Sequence, residues 1–206
     1  MKRARTEVSK ENRKNFILAC AEEIIINEGL AGLNLQQVAK KSKLAIGTIY
    51  LYFEKKEDLI AQLTLKSRQF LLDVFEQSTK GEQNAIAQIS KLLDAYYNFY
   101  KTHPHYNELV SFFEKNAGLE EPEQLRIASM QINDLVIRIL QTGKSQGVVR
   151  NDLDEKTFSF LLWGTTVGVI QLIEVKSASL KSALHLEGFE FFNHHISLII
   201  NSIQKK

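Results

Sequence analysis

Residues 44–56 read LAIGTIYLYFEKK and set Thr48, Tyr50 and Tyr52 just ahead of Lys55 and Lys56. A hydroxyl donates to a phosphate oxygen and an ammonium adds charge. Such contacts fix a protein's register on a nucleic-acid duplex without reading its sequence. Gly47 carries no side chain, so backbone can approach a partner closely there. Ile49 and Phe53 stand one helical turn apart and are positioned to anchor the segment to a neighbouring helix. Lys55 and Lys56 precede the next helix, where cations and free N–H groups together suit a phosphate.

The charge is concentrated in the same region. From Leu35 to Lys56 the basic residues Lys40, Lys41, Lys43, Lys55 and Lys56 face Glu54 alone, a local +4. Residues 1–14 hold Lys2, Arg3, Arg5, Lys10, Arg13 and Lys14 against Glu7 and Glu11, again +4. Two +4 patches in a chain of net charge +2 leave the remainder at −6. The whole protein is not a polycation, so a nucleic-acid partner must be met locally.

Other chemistries find less support. His103 and His105 flank Pro104, and His194 and His195 are adjacent; neither pair has the i, i+4 spacing that puts two imidazoles on one helical face. The single cysteine, Cys20, lies on an inward stripe and reads as a small core residue. Glu120, Glu121 and Glu123 sit at a helix start, where the macrodipole favours carboxylates. Phosphate-binding loops, nucleophile elbows and zinc-protease motifs are absent from the sequence. The expectation is a protein that is not an enzyme, with no cofactor and no metal.

The elements that must position these groups are helices. Only two prolines occur in 206 residues, and 44% of the chain is hydrophobic, enough for a substantial core. Residues 1–8 read as a basic flexible arm. A first helix is expected over 9–28, with Phe16, Cys20 and Ile24 at i+4 spacing and Gly29 as its stop. Asn34 is placed to cap a short helix to about Lys41. A turn, SKLA, leads to a second short helix over about 45–53. Two short helices joined by a four-residue turn form a helix-turn-helix pattern.

A longer helix is expected over 56–77, then helices over about 83–102, 105–117, 121–146, 154–175 and 182–204. Pro104 and Pro122 occupy first-turn positions, and Asp154 is a candidate cap. The last two helices are apolar around nearly their whole circumference, which predicts burial against a second copy of the chain, with a thick monomer core as the alternative. Aromatics at Tyr96, Tyr97, Phe99, Tyr100, Tyr106, Phe112 and Phe113, with Met130 and Trp163, are expected to be mostly core, a few lining a cavity for an apolar or aromatic ligand. No apolar run approaches the ~20 residues of a membrane span, and no signal peptide is legible. A cytoplasmic protein is expected, with no membrane partner.

The stretch GLAGLNLQQVAKKSKLAIGTIYLYFEKKEDL, residues 29–59, resembles the TetR family of bacterial transcriptional regulators, and the likeness extends from about Asn12 to Leu63. The resemblance implies an all-α fold of about nine helices. A three-helix DNA-binding domain over 9–55 would join, through a connecting helix from about 56, a larger ligand-binding and dimerisation domain over 56–206. It also implies a homodimeric repressor, formed through the last two helices, that binds a palindromic operator in double-stranded DNA and is released by a small effector. By position, Gln36, Ala45, Ile46 and Thr48 would face bases, and Tyr50, Tyr52 and Lys56 the backbone; Lys43, Gly47 and Lys55 complete the expected DNA-binding set. Asn34 stands where Thr is usual, and Ala45 and Ile46 where Ser and a polar or basic residue are common. Ile46 suits either a thymine methyl or packing beside Ile49, and Gln36 either adenine or solvent. The competing reading is a helical small-molecule-binding protein or enzyme with a vestigial head.

Overall fold

The computed structural model describes residues 2–116 and 120–205, with side chains from Ser9 onward except at 114 and 115. Among these residues the chain forms nine α-helices: α1 (Lys2–Gly32), α2 (Leu35–Ser42), α3 (Ile46–Tyr50), α4 (Lys56–Thr79), α5 (Ala85–Thr102), α6 (His105–Lys115), α7 (Glu123–Ser145), α8 (Glu155–Leu184) and α9 (Gly188–Ile203). The all-α expectation is met. Two compact units arise, Met1–Gln69 with His103–Arg126, and Phe70–Thr102 with Ile127–Lys206.

In the first unit, α1 starts at Lys2 rather than at Ser9, so positions 2–8 continue the helix. Its regular geometry breaks at Gly29, with φ 70° and ψ 175°, a region that only glycine occupies without strain. The stop signal was therefore legible, although helical geometry resumes to Gly32. Asn34 sits in extended conformation and its side-chain oxygen accepts from the Gln37 N–H at 2.9 Å, capping α2 as expected. Ile17, Ala21, Val38, Ile49, Leu59, Ile60 and Leu63 are each 0% exposed and form the core that holds the three N-terminal helices to the start of α4. Cys20 is buried in the same layer.

The second unit packs α5, α7, α8 and α9 around Ile89, Leu140, Phe192 and Ile203. Gly143 lies where α7 meets its neighbours: a Cβ there would fall 2.4 Å from Val149 Cγ2. The chain's end is tied back by Arg150 N–H donating to Ile203 O and Lys205 N–H donating to Val148 O, both at 2.9 Å. Asp154 caps α8 by accepting from the Thr157 N–H at 2.7 Å. The break expected at KSASLKS is absent. Lys176 (φ −121°, ψ 20°) only kinks α8, which continues to Leu184 and ends on His185 in the left-handed region. Ser and Lys have moderate helix propensity, and no Gly or Pro stops the helix there.

The run of α8 also corrects the expectation about spanning length: it is long and apolar enough by composition to cross a membrane, and 33% of that stretch is buried. Leu161, Leu172 and Val175 are 58%, 42% and 72% exposed, and Cβ atoms built at Gly164 and Gly168 meet nothing within 4 Å. At three- and four-residue spacing these five positions share one face of the helix.

Gly29→Ala is expected to destabilise the first unit by about 1–3 kcal/mol through backbone strain. A Cβ there has only Glu108 Oε2 nearby, at 3.9 Å, so crowding does not contribute. Chemical denaturation of the two proteins checks this, and equal midpoints contradict it.

Candidate nucleic-acid interface

A five-residue helix does not form alone in water, because nucleation consumes most of what a single turn gains. What holds α3 is burial. Ile49 is 0% and Phe53 is 2% exposed, as the spacing predicted, and full burial of two such side chains is worth about 1.5–3 kcal/mol each. α3 is shorter than expected: it ends at Tyr50, and Leu51 follows as its cap. Tyr52 and Phe53 N–H groups both donate to Ile49 O at 3.0 Å, so Tyr52 stands in the turn rather than on the helix.

Lys43 holds the turn between α2 and α3. It sits in the left-handed region at φ 55°, and its N–H closes the end of α2 on Ala39 O and Lys40 O. Gly usually fills such a position; a non-glycine residue there costs on the order of 1 kcal/mol. Lys43, Ala45, Gly47, Gln36 and Lys55 are exposed, and Thr48 and Tyr52 half-buried. Tyr50 is 49% and Ile46 39% exposed, so packing beside Ile49 leaves much of Ile46 open to solvent. A Cβ built at Gly47 meets nothing within 4 Å. Gln36, Ala45, Ile46, Gly47 and Tyr50 thus stand on the outward side of the head and Ile49 on the inward side.

Ion pairing sorts the cations. Lys41 pairs with Glu23 at 2.7 Å, and Lys66 with Glu22 at 2.6 Å. Lys56 is half-buried and its ammonium donates to Leu30 O at 2.8 Å. One of its three donors therefore closes the end of α1, and two remain. Free N–H groups were expected where Lys55 and Lys56 lead into α4; those of Glu54 and Lys55, just ahead of it, both donate to Asp58 Oδ2, at 2.9 and 3.0 Å. Asp58 was missed by the sequence reading. A carboxylate two residues past Lys56 was the available signal, since carboxylates in the first turn of a helix reach back to such N–H groups.

A second missed group joins α6 to the head. Glu108 Oε2 accepts from the Leu30 N–H at 3.0 Å, so Leu30 is held through its N–H by Glu108 and through its C=O by Lys56. Glu22 on α1 accepts from Tyr106 and from Lys66, and His105 Nε2 lies 3.6 Å from it. Burial alone would raise the Glu22 carboxyl, but the hydrogen bonds from Lys66 and Tyr106 and the Lys66 charge outweigh it and hold it below the usual range. Burial of His105 disfavours its imidazolium and outweighs Glu22, so its pKa lies below the ordinary histidine value. Two residues of the acidic run are also paired, Glu121 with Arg68 and Glu123 with Arg126. The described residues contain no group of three or more His, Cys, Asp or Glu side chains that could hold a metal ion.

Residues 17–63 match the model of bacterial regulatory proteins of the tetR family. The chain is 23% identical over 159 residues to the fatty acid metabolism regulator protein of Bacillus subtilis strain 168, spanning 76% of this chain and 81% of that protein. It is 24% identical over 164 residues to the transcriptional regulator UidR of Escherichia coli strain K12, spanning 78% and 81%. Both relatives are regulators. The solved structure of FadR from Bacillus subtilis in complex with stearoyl-CoA superposes with a TM-score of 0.71 at 18% identity, over 90% of this chain and 96% of that one, a likeness of fold.

Two outcomes test the site's construction. Lys43→Gly removes a charge and relieves the left-handed strain together. Its melting temperature should equal or exceed the wild type while its affinity for duplex DNA falls; a lower melting temperature contradicts the account of the turn. The second concerns pH. Because folding lowers the His105 pKa, the unfolded chain binds more protons, and stability should fall as pH drops through about 6.5. Glu22 behaves as a carboxylate held low, so its contribution is lost only below about pH 4.3. His105→Gln should flatten the denaturation midpoint between pH 7.5 and 5.5 relative to wild type. The helix-turn-helix built on Ile49 and Phe53 thus lies within the stretch, residues 17–63, that matches bacterial regulatory proteins of the tetR family, and the relatives similar to most of the chain's length are regulators.

Proposed function

We propose that the protein is a repressor that binds a palindromic operator as a homodimer and leaves it when a small effector binds. Gln36, Ala45, Ile46 and Thr48 meet base edges in this reading. Lys43, Tyr50, Tyr52, Lys55 and the remaining donors of Lys56 meet phosphates across Gly47 and its neighbours. Apolar Ala45 and Ile46 suit thymine methyl groups, which favours A·T pairs at the positions they reach. The protein acts in the cytoplasm, where the DNA is.

The observation that carries the dimer is the apolar face of α8. Leu161, Leu172 and Val175 line it with Gly164 and Gly168, and Leu198 on α9 is 68% exposed. Small residues between large apolar ones let a second helix come close. A second copy related by two-fold symmetry covers such a face with itself, and the same symmetry makes the operator palindromic.

The effector belongs to the second unit, whose core holds Tyr97 and Tyr100, with Phe99 8% exposed on the same helix. Aromatic walls suit a ligand with an apolar body. The stearoyl-CoA complex of the Bacillus subtilis FadR, whose fold this chain shares, supports a long acyl chain as the first class to try.

Sedimentation velocity with Leu161→Glu,Val175→Glu is the test of the dimer: wild type should sediment as a dimer and the double variant as a monomer. A wild-type monomer at micromolar concentration contradicts the reading. Repressor action is tested by titrating the protein with its own upstream DNA, with and without long-chain acyl-CoA. Tighter binding than to random duplex, weakened by acyl-CoA, is expected; equal affinity for both duplexes overturns the operator.

A further inference from the structure

Beyond the end of α3 lies a depression of about 410 Å³ lined by Lys10, Glu11, Lys14, Leu51 and Tyr52. Its size is that of a small-molecule pocket, but charged side chains share its walls with apolar surface. Two ammonium groups, a carboxylate and a phenol surround one leucine. Leu51 is 79% exposed, the most exposed large apolar side chain among the described residues. The Lys14 ammonium donates to Gln62 Oε1 at 2.9 Å, a neutral partner that leaves its charge uncompensated. Lys10 and Glu11 are exposed on the same helix.

The depression and Lys43 lie at opposite ends of α3. Five helical residues span about 7.5 Å, less than the ~12 Å width of the B-DNA major groove. A helix that short, inserted in the groove, leaves cations at both ends to meet the two strands that bound it. Lys43 serves one bank. At the other, Lys41 is paired with Glu23 and the Glu54 and Lys55 amides with Asp58, which leaves Tyr52, the Lys55 side chain and two donors of Lys56 from the helix-turn-helix itself.

We propose that this depression is a saddle for one sugar–phosphate segment of double-stranded DNA, built between the N-terminal part of α1 and the end of α3. It rests on the reading that α3 enters the major groove, and it adds Lys10, Lys14 and Leu51 to the interface. Lys10 and Lys14 neutralise phosphates, the Tyr52 hydroxyl donates to a phosphate oxygen, and Leu51 covers the apolar face of a deoxyribose. The contact reads no bases. Glu11 is the one repulsive group in the lining and weakens non-specific association.

The test uses full-length protein and a mixed-sequence 30-base-pair duplex, with affinity measured from 50 to 200 mM salt. Each phosphate neutralised contributes about 0.9 to the slope of log affinity against log salt. Lys10→Gln,Lys14→Gln should lower that slope by about 1.8, and Lys14→Arg should retain the wild-type slope. Glu11→Gln should bind more tightly than wild type at low salt, a gain that misfolding cannot produce. Leu51→Ala should weaken binding to A·T-rich and G·C-rich duplexes by the same factor. A double variant with the wild-type slope overturns the saddle, as does a Glu11→Gln protein that binds no tighter. A Leu51→Ala effect confined to A·T-rich duplex reassigns that leucine to thymine methyls and overturns its sugar contact. Wild type that binds no duplex refutes the DNA reading itself, a separate outcome.

Discussion

The interface depends on the burial of two side chains. A helix of five residues has no stability of its own, so every group displayed on it is fixed by Ile49 and Phe53 beneath. Their burial sets the rotation of α3, and rotation decides that Ile46 and Tyr50 face outward together. The flanking turns are specified as tightly. Asn34 caps α2, Lys43 closes it in the left-handed region, and Asp58 takes the amides of Glu54 and Lys55. Each device orders a connector of only a few residues, so the backbone that carries the outward groups is ordered without a ligand. Its ordering entropy then does not oppose binding.

The same devices limit which charges reach a partner. Counting residues made the segment from Leu35 to Lys56 a +4 patch, yet Lys41 is engaged by Glu23 and Lys56 partly by the Leu30 carbonyl. The cations left outward lie at the two ends of α3 rather than along it. That arrangement suits a groove with a phosphate strand on each side. It also leaves Ala45, just ahead of α3, and Ile46, Gly47 and Thr48 at its start as small or apolar groups between those cations.

How much of this the sequence carried varied with the physics involved. Ile49 and Phe53 were legible because helical periodicity is local, as were the caps at Asn34 and Asp154 and the break at Gly29. Helix ends were less so. The continuation of α8 past Lys176 depends on packing of Leu180 in the second unit, which no local signal announces. The partners of charged groups were hardest: Glu108 meets the Leu30 amide and Arg68 meets Glu121 across large sequence separations, and residue types alone do not choose among many carboxylates. The depression beside Leu51 was invisible for the same reason, since its two walls come from helices far apart in the chain.

Hydrogen–deuterium exchange of the full-length protein with and without duplex DNA shows whether α3 and its flanking turns meet the duplex. Protection on adding DNA should appear over residues 36–56 and again over 10–14, while the α8 and α9 amides exchange as before. Protection confined to α8 and α9, or none over residues 43–52, would contradict that contact.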